Sequence, residues 1–349
     1  MRSNKLIMIL IIASLLIVSG CKKSQNPQTV TDTNPTASPS ATIIPTAEPG
    51  LRPSQDEPVA TPALSLDEES LEAYEKFLKN EAAISFDRFM HKGYLINPDN
   101  TEEPLFQKET EYTLLELLER LTRYYLERST DKKLKSIDYG FIDCGKDGVS
   151  ELVLRFNGMD IDGIDDDSTL VYVIKYINRK LYLCYYYETW ARSETSINEY
   201  GYIKSSGSGG ASHHISEYSF IDKAGNWHQI AYIDSESDIY NFGPFENLAK
   251  LAEAKGIKDI IQIDTIRFNY DPLADQQDNG EVFYTFYVFD ENWEPVEDAN
   301  LYTNSVYKEI FDESNMPFIT PDELSAMIAE KEQNLGVTAE IKEGGEVSW

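Results

Sequence analysis

Cysteine is scarce in this chain of 349 residues, which holds only Cys21, Cys144 and Cys184. A fold stapled by several disulfides is therefore excluded. At most Cys144 and Cys184 form one bond; otherwise they are two thiols buried in strands. Positive charge is also short: 31 Lys and Arg stand against 60 Asp and Glu, a formal net charge of −29. Binding to nucleic acid rests on Lys and Arg neutralising phosphates, so no nucleic-acid partner is expected. No uninterrupted apolar run reaches the roughly 20 residues that a helical membrane span needs; the run from Leu6 to Val18 falls short of it. Chemical signatures are missing as well. The chain has no G-x-S-x-G elbow, no G-x-x-x-x-G-K-[ST] loop and no H-E-x-x-H helix. It has no βαβ alternation and no internal repeat of fixed period.

Aromatic residues are abundant, with 22 Tyr, 15 Phe and 4 Trp, which implies a real core. The N-terminus has its own pattern. Arg2 and Lys5 precede the apolar run, and Val18-Ser19-Gly20-Cys21 follows it. A charged start, a short apolar core and small residues describe a secretory signal. With a cysteine directly after them, the segment resembles the lipobox of bacterial lipoproteins. That resemblance implies a signal peptide over 1–20 and a diacylglyceryl thioether on Cys21. It also implies attachment to the extracytoplasmic face of the cell membrane through that lipid anchor. Two acyl chains hold a protein stably where one binds only marginally. Residues 21–64, rich in Pro, Thr, Ser and Ala, read as a disordered tether, because they hold too few large apolar groups to offset the entropy of ordering.

The folded domain is expected over 65–349, either whole or as packed subdomains 65–235 and 236–349. Ser65 and Glu68 fit a capping box, with Leu66, Leu71, Tyr74, Phe77 and Leu78 as a helical stripe. A second helix opens at Thr113 with Glu116 three residues on. Strands are expected at Ile137–Asp143, Glu151–Asn157, Thr169–Asn178, Leu181–Tyr187, Asn198–Ile203, Ile215–Asp222 and Asn226–Asp234. Hairpin turns are expected at Asn178–Lys180 and Lys223–Gly225. Apolar and aromatic residues fill both faces of Leu181–Trp190, which predicts a strand covered on both sides. Further on, Phe245–Ala254 reads as a helix, and Thr265–Tyr270 and Val282–Phe289 as strands. Thr320, Pro321 and Glu323 start a helix that ends at Gly336, and Val337–Ile341 reads as an edge strand. The fold class is α+β: N-terminal helices, then a mostly antiparallel β-sheet, then C-terminal helices and strands.

Four constellations are candidates for chemistry. The first is Asp143-Cys144-Gly145-Lys146-Asp147-Gly148-Val149-Ser150-Glu151-Leu152. It resembles the D-x-D-x-D-G-x-x-[DE]-L calcium loop of FG-GAP and related extracellular repeats. The resemblance implies Ca2+ held by Asp143, Asp147, Glu151 and the Val149 carbonyl. Gly145 departs from it, since a carboxylate or amide is expected there, and calcium wants 6–8 oxygens. The same residues also read as a plain tight turn. The second is the acidic loop with Asp160, Asp162, Asp165, Asp166 and Asp167, with a looser relative at Asp271, Asp275, Asp278 and Glu281. These are candidates for a divalent cation, or simply solvated faces. The third is Gly207-Ser208-Gly209-Gly210-Ala211-Ser212-His213-His214, either an anion- or sugar-wrapping loop or a hairpin loop. Two adjacent histidines are too few for zinc. The fourth is Glu188-Thr189-Trp190-Ala191-Arg192-Ser193 with Asn198-Glu199-Tyr200-Gly201-Tyr202, which supplies the aromatic and polar groups of a sugar or peptide cleft. The structural alternative pairs Arg192 with an acid and stacks it on Trp190.

Together these segments resemble surface lipoproteins of clostridial type, a group whose resemblance carries no activity with it. The expected function is thus a lipid-anchored surface protein with a non-catalytic binding or interaction role. Its ligand-binding residues are expected to be Trp190, Arg192, Tyr200, His213 and His214, and its partner a cell-wall carbohydrate or peptide. A cell-surface hydrolase acting on wall polymer or peptide is one alternative. A solute-binding lipoprotein is another, against which the missing pair of alternating α/β lobes counts.

Overall fold

Ser65 opens the first helix as its sequence predicts. Its hydroxyl accepts the Glu68 N–H, while the Glu68 carboxylate accepts the Ser65 N–H at 2.8 Å. The computed structural model describes residues 65–88, 105–107, 109–126, 134–160, 168–268, 281–347 and 349, all in one compact unit. The expected signal peptide, Cys21 and the tether lie outside them. So do Asp162, Asp165, Asp166, Asp167, Asp271, Asp275 and Asp278. The fold is α+β. Helix α1 spans Leu66–Leu78, and α2 spans Leu114–Leu126 behind a second reciprocal cap between Thr113 and Glu116.

The strands form two six-stranded sheets rather than the one that was expected. The first holds β1 (Ala83–Ser85), β2 (Glu111–Thr113), β3 (Ser136–Ile142), β4 (Glu151–Asn157), β5 (Thr169–Ile177) and β6 (Lys180–Thr189), in the order β2-β1-β6-β5-β4-β3. Its pairs are antiparallel except β1 with β6. The second is an antiparallel meander of β7 (Ser193–Ile197), β8 (Tyr202–Ser208), β9 (His213–Ile221), β10 (Trp227–Glu236), β11 (Ile260–Arg267) and β12 (Val282–Phe289). The chain changes sheet at Trp190–Arg192. Position 235, weighed above as a subdomain boundary, lies inside β10.

Strand period 2 decides what each face buries. In β4, Leu152, Leu154 and Phe156 point to the helices and join Tyr74, Phe77, Leu117 and Leu121. Val153 points the other way, with Val171, Val173, Tyr185 and Tyr187, against Ile197, Ile203 and Ile221 of the second sheet. Tyr185 stacks on Trp227 there, ring centroids 5.8 Å apart and planes 4° from parallel. The first sheet is therefore covered on both faces, as the apolar run through Leu181–Trp190 predicts. On the second sheet, Ile261, Ile263, Phe286 and Val288 pack on α3 (Glu246–Ala254) and α4 (Val306–Glu313). The opposite face, with Tyr202, Phe220 and Ala231, is closed by α5 (Pro321–Asn334) and α6 (Ala339–Lys342). Cys144 and Cys184 are both free and buried, and burial pushes the Cys184 thiol up to about 12.

Three expected strands are corrected. Asn198–Ile203 is mostly a turn, because the Asn198 side-chain carbonyl accepts the N–H groups of Tyr200 and Tyr202 and Gly201 sits at φ 82°. Val337–Ile341 is not an edge strand. Thr338 accepts the Ile341 N–H and starts α6 instead. The strand placed at Thr265–Tyr270 runs earlier, over Ile260–Arg267. The Gly-rich segment is strand as far as Ser208, and α4 and β7 were not anticipated.

Phe286 is fully buried, stacked on Phe311 at 4.4 Å and met edge-on by Phe318. Phe286→Ala should cost about 3–5 kcal/mol, from lost transfer energy and the cavity left behind. Urea unfolding, with the midpoint shifted and the slope unchanged, is the check.

Candidate functional site

The loop between β3 and β4 is built by its own side chains. The Asp143 carboxylate accepts the Asp147 N–H at 2.7 Å and the Gly148 N–H at 3.0 and 3.1 Å. Asp147 accepts the Val149 N–H at 3.0 Å. Glu151 turns inward and is wholly buried, accepting the Cys144 N–H at 2.6 Å. Its other oxygen pairs with the ammonium of Lys175, itself only 5 % exposed. Burial pushes the Glu151 carboxyl up, and the adjacent ammonium pulls it back. Burial also disfavours the charge on Lys175, but the Glu151 carboxylate outweighs it and raises the Lys175 pKa.

The donor set expected for calcium does not fit this geometry. Asp143 and Asp147 are engaged by backbone N–H groups, and Glu151 faces a lysine. Among the described residues, no three His, Cys, Asp or Glu side chains are placed to hold a metal ion together. Gly145 is not a missing ligand either. It sits at φ 73°, and a Cβ there would lie 2.6 Å from the Lys223 nitrogen. The loop needs glycine at that position for close approach to the β9–β10 turn.

The expected ligand residues divide into three places. Trp190, Arg192 and His214 line one groove of about 450 Å³, with Glu194, Ser206, Ser208 and Ser216. A tight turn holds its rim. The Trp190 N–H donates to the Ser193 carbonyl at 3.0 Å, and the Ser193 N–H returns the bond at 2.8 Å. The Ser208 N–H donates to the Arg192 carbonyl at 2.8 Å, which fixes that turn to β8. A second, more apolar cavity of about 300 Å³ adjoins it, also bordered by Trp190 and Arg192. It is lined there by Ser205, Gly207, Ile215 and Glu217. Burial raises the Glu217 carboxyl, and the Gln229 amide donates to it at 3.2 Å.

His213 is not in the groove with His214, because neighbouring strand residues face opposite ways. Its ring bonds Asp234 at 2.7 Å and packs so tightly on Gly209 that a Cβ there would lie 2.2 Å from the imidazole. It staples the β8–β9 turn. Tyr200 is also elsewhere. It lies at the other end of β8, under the Lys146 ammonium at 5.2 Å and against Gly344.

Within the groove, the Arg192 guanidinium lies 5.2 Å from the Trp190 ring centroid. Among the described residues it has no carboxylate partner, contrary to the ion pair weighed from sequence. The His214 imidazole and the hydroxyls of Ser206 and Ser216 likewise make no hydrogen bond to any described residue. The site therefore presents one aromatic face, one cation and several free polar groups to solvent. A serine or cysteine triad is not assembled among the described residues. The histidine–carboxylate pairs, His213 with Asp234 and His228 with Asp222, have no hydroxyl or thiol bonded to the imidazole. Ser216 and Glu194 escaped the sequence reading. Alternation along β9 puts Ser216 on the same face as His214, whereas Glu194 reaches the groove through the unanticipated β7, where it pairs with Ser206.

Comparison of the chain with protein-family models, with curated proteins and with solved structures finds no match.

Gly145→Asp, which the calcium resemblance would favour as a restored ligand, should instead destabilise the domain by at least about 2 kcal/mol. A left-handed backbone and a backbone clash both oppose it. Thermal unfolding in calcium and in EDTA should show the same loss.

Proposed function

We propose that this chain is a lipid-anchored, extracytoplasmic binding module, and that its ligand lies in the groove formed by Trp190, Arg192 and His214. The observation that carries this reading is the set of groups left without internal partners on one concave surface. Sixty acids are available in the chain, yet Arg192 stands unpaired among the described residues beside an aromatic ring. Exposed cations in so acidic a protein are readily neutralised, so one kept free beside free hydroxyls suits an external acceptor. An aromatic face with converging donors suits the apolar face and hydroxyl rim of a sugar, or an extended peptide with its carbonyls. Cell-wall carbohydrate or peptide is therefore the ligand class. The anchor is read from Val18-Ser19-Gly20-Cys21, and the tether over 21–64 would hold the domain away from the membrane.

Binding is tested by titrating the full-length chain with soluble cell-wall fragments, glycan and peptide separately, and following Trp fluorescence. Trp190→Ala and Arg192→Ala should each weaken binding about tenfold or more, equivalent to about 1.4 kcal/mol. The thermal midpoint should stay unchanged, since Arg192 is exposed and Trp190 only half-buried. Unaltered affinity in both variants would refute the groove assignment. Turnover of the fragments would replace the binding role with the hydrolase.

The anchor has a separate check. Metabolic fatty-acid labelling should mark the wild-type chain, and Cys21→Ala should abolish the label and release or strand the protein unprocessed. Wild-type protein without label would end that part of the reading.

A further inference from the structure

A carboxylate removed from water is costly unless a charge and hydrogen bonds compensate it. Glu151 is such a group, at the first position of β4 and wholly buried. In a calcium loop of this spacing, the compensating charge is the metal. Here it arrives along the chain. The β4–β5 register pairs Leu152 with Ile174, which brings Lys175 alongside Glu151 across the strands. The Lys175 stem is roofed by the β9–β10 turn, where a Cβ on Gly225 would lie 3.0 Å from Lys175 Cδ. The ammonium is thus sealed against Glu151, and the remaining Glu151 oxygen is met by the Cys144 N–H.

We infer that Lys175 is the resident cation of the Asp143–Glu151 loop, doing the work of the divalent ion that the loop's sequence invites, so that the domain folds independently of calcium. The inference explains why the three carboxylates do not converge. Glu151 is drawn inward to the lysine, and Asp143 and Asp147 close the turn on backbone N–H groups. It also explains why Gly145 carries no ligand side chain, since no outer metal needs one. It does not depend on what the Trp190 groove binds.

The test uses thermal unfolding of the full-length chain. Wild type should give one midpoint, whether in millimolar calcium chloride or in EDTA. Lys175→Met keeps the stem and removes the charge, stranding the carboxylate. It should lower the midpoint by about 10 °C, the scale expected for breaking a buried pair in a domain of this size. Glu151→Gln added to Lys175→Met removes the stranded charge and should recover at least half of that loss. A wild-type midpoint that rises with calcium would overturn the inference. So would a Lys175→Met variant as stable as wild type, or a double variant no better folded than Lys175→Met alone.

Discussion

The buried pair of Glu151 and Lys175 sits where most of this domain's parts meet. Around it, the Asp143–Glu151 loop reaches four other elements. The Ser150 N–H donates to Asp67 of α1 at 2.8 Å, and the Tyr74 hydroxyl donates to the Ser150 carbonyl at 2.9 Å. The same hydroxyl accepts the Tyr176 N–H from the end of β5 at 3.0 Å. On the other side, the Asp143 and Gly145 N–H groups donate to the carbonyls of Glu199 and Tyr200, in the β7–β8 turn. Lys146 pairs with Glu340 of α6. The loop therefore joins the first sheet, its covering helix, the second sheet and the C-terminal helix. An uncompensated charge beneath it would be felt in all of them, which is why the identity of its counter-ion matters more than that of any surface ion pair.

The C-terminal segment is tied down by a second polar knot. Tyr202 of β8 donates to Glu332 of α5 at 2.7 Å, and Lys342 of α6 reaches the same carboxylate. Asn198 donates to the Ile341 carbonyl at 2.6 Å. These bonds hold one end of the β7–β8 hairpin. At its other end the chain crosses between sheets at Trp190–Arg192, and the groove opens there. Site and scaffold are thus opposite ends of the same two strands: the closed end carries Tyr200, and the open end carries Trp190, Arg192 and His214.

Much of this was readable in advance where the deciding interactions are local. The caps at Ser65, Thr113 and Thr320 are bonds between residues three apart, and each formed as its spacing predicts. The β4 and β12 spans, the two tight hairpins and the doubly covered β6 follow from period and turn chemistry in the same way. Errors arose where two local readings compete. Val337–Ile341 alternates like a strand, but Thr338 is also a helix cap, and burial of Ile341 against Ala231 and Phe220 favours the helix. Asn198 looked like the start of a strand, yet its amide reaches two backbone N–H groups within four residues and makes a turn.

By itself the sequence determined the α+β class, the acidic surface, the helix starts and the turn at Asp143–Gly148, since each is settled within a few residues of chain. It also singled out Trp190, Arg192 and His214. Only the tertiary structure decided that the strands divide into two sheets, that His213 and Tyr200 stay out of the groove, and that Arg192 lacks a described acid. Above all it decided that Glu151 meets Lys175, 24 residues away in sequence. The physical reason is the same in each case. A side chain's partner across strands depends on register, and register is set by how whole faces bury their apolar groups, not by the residues beside it in the chain.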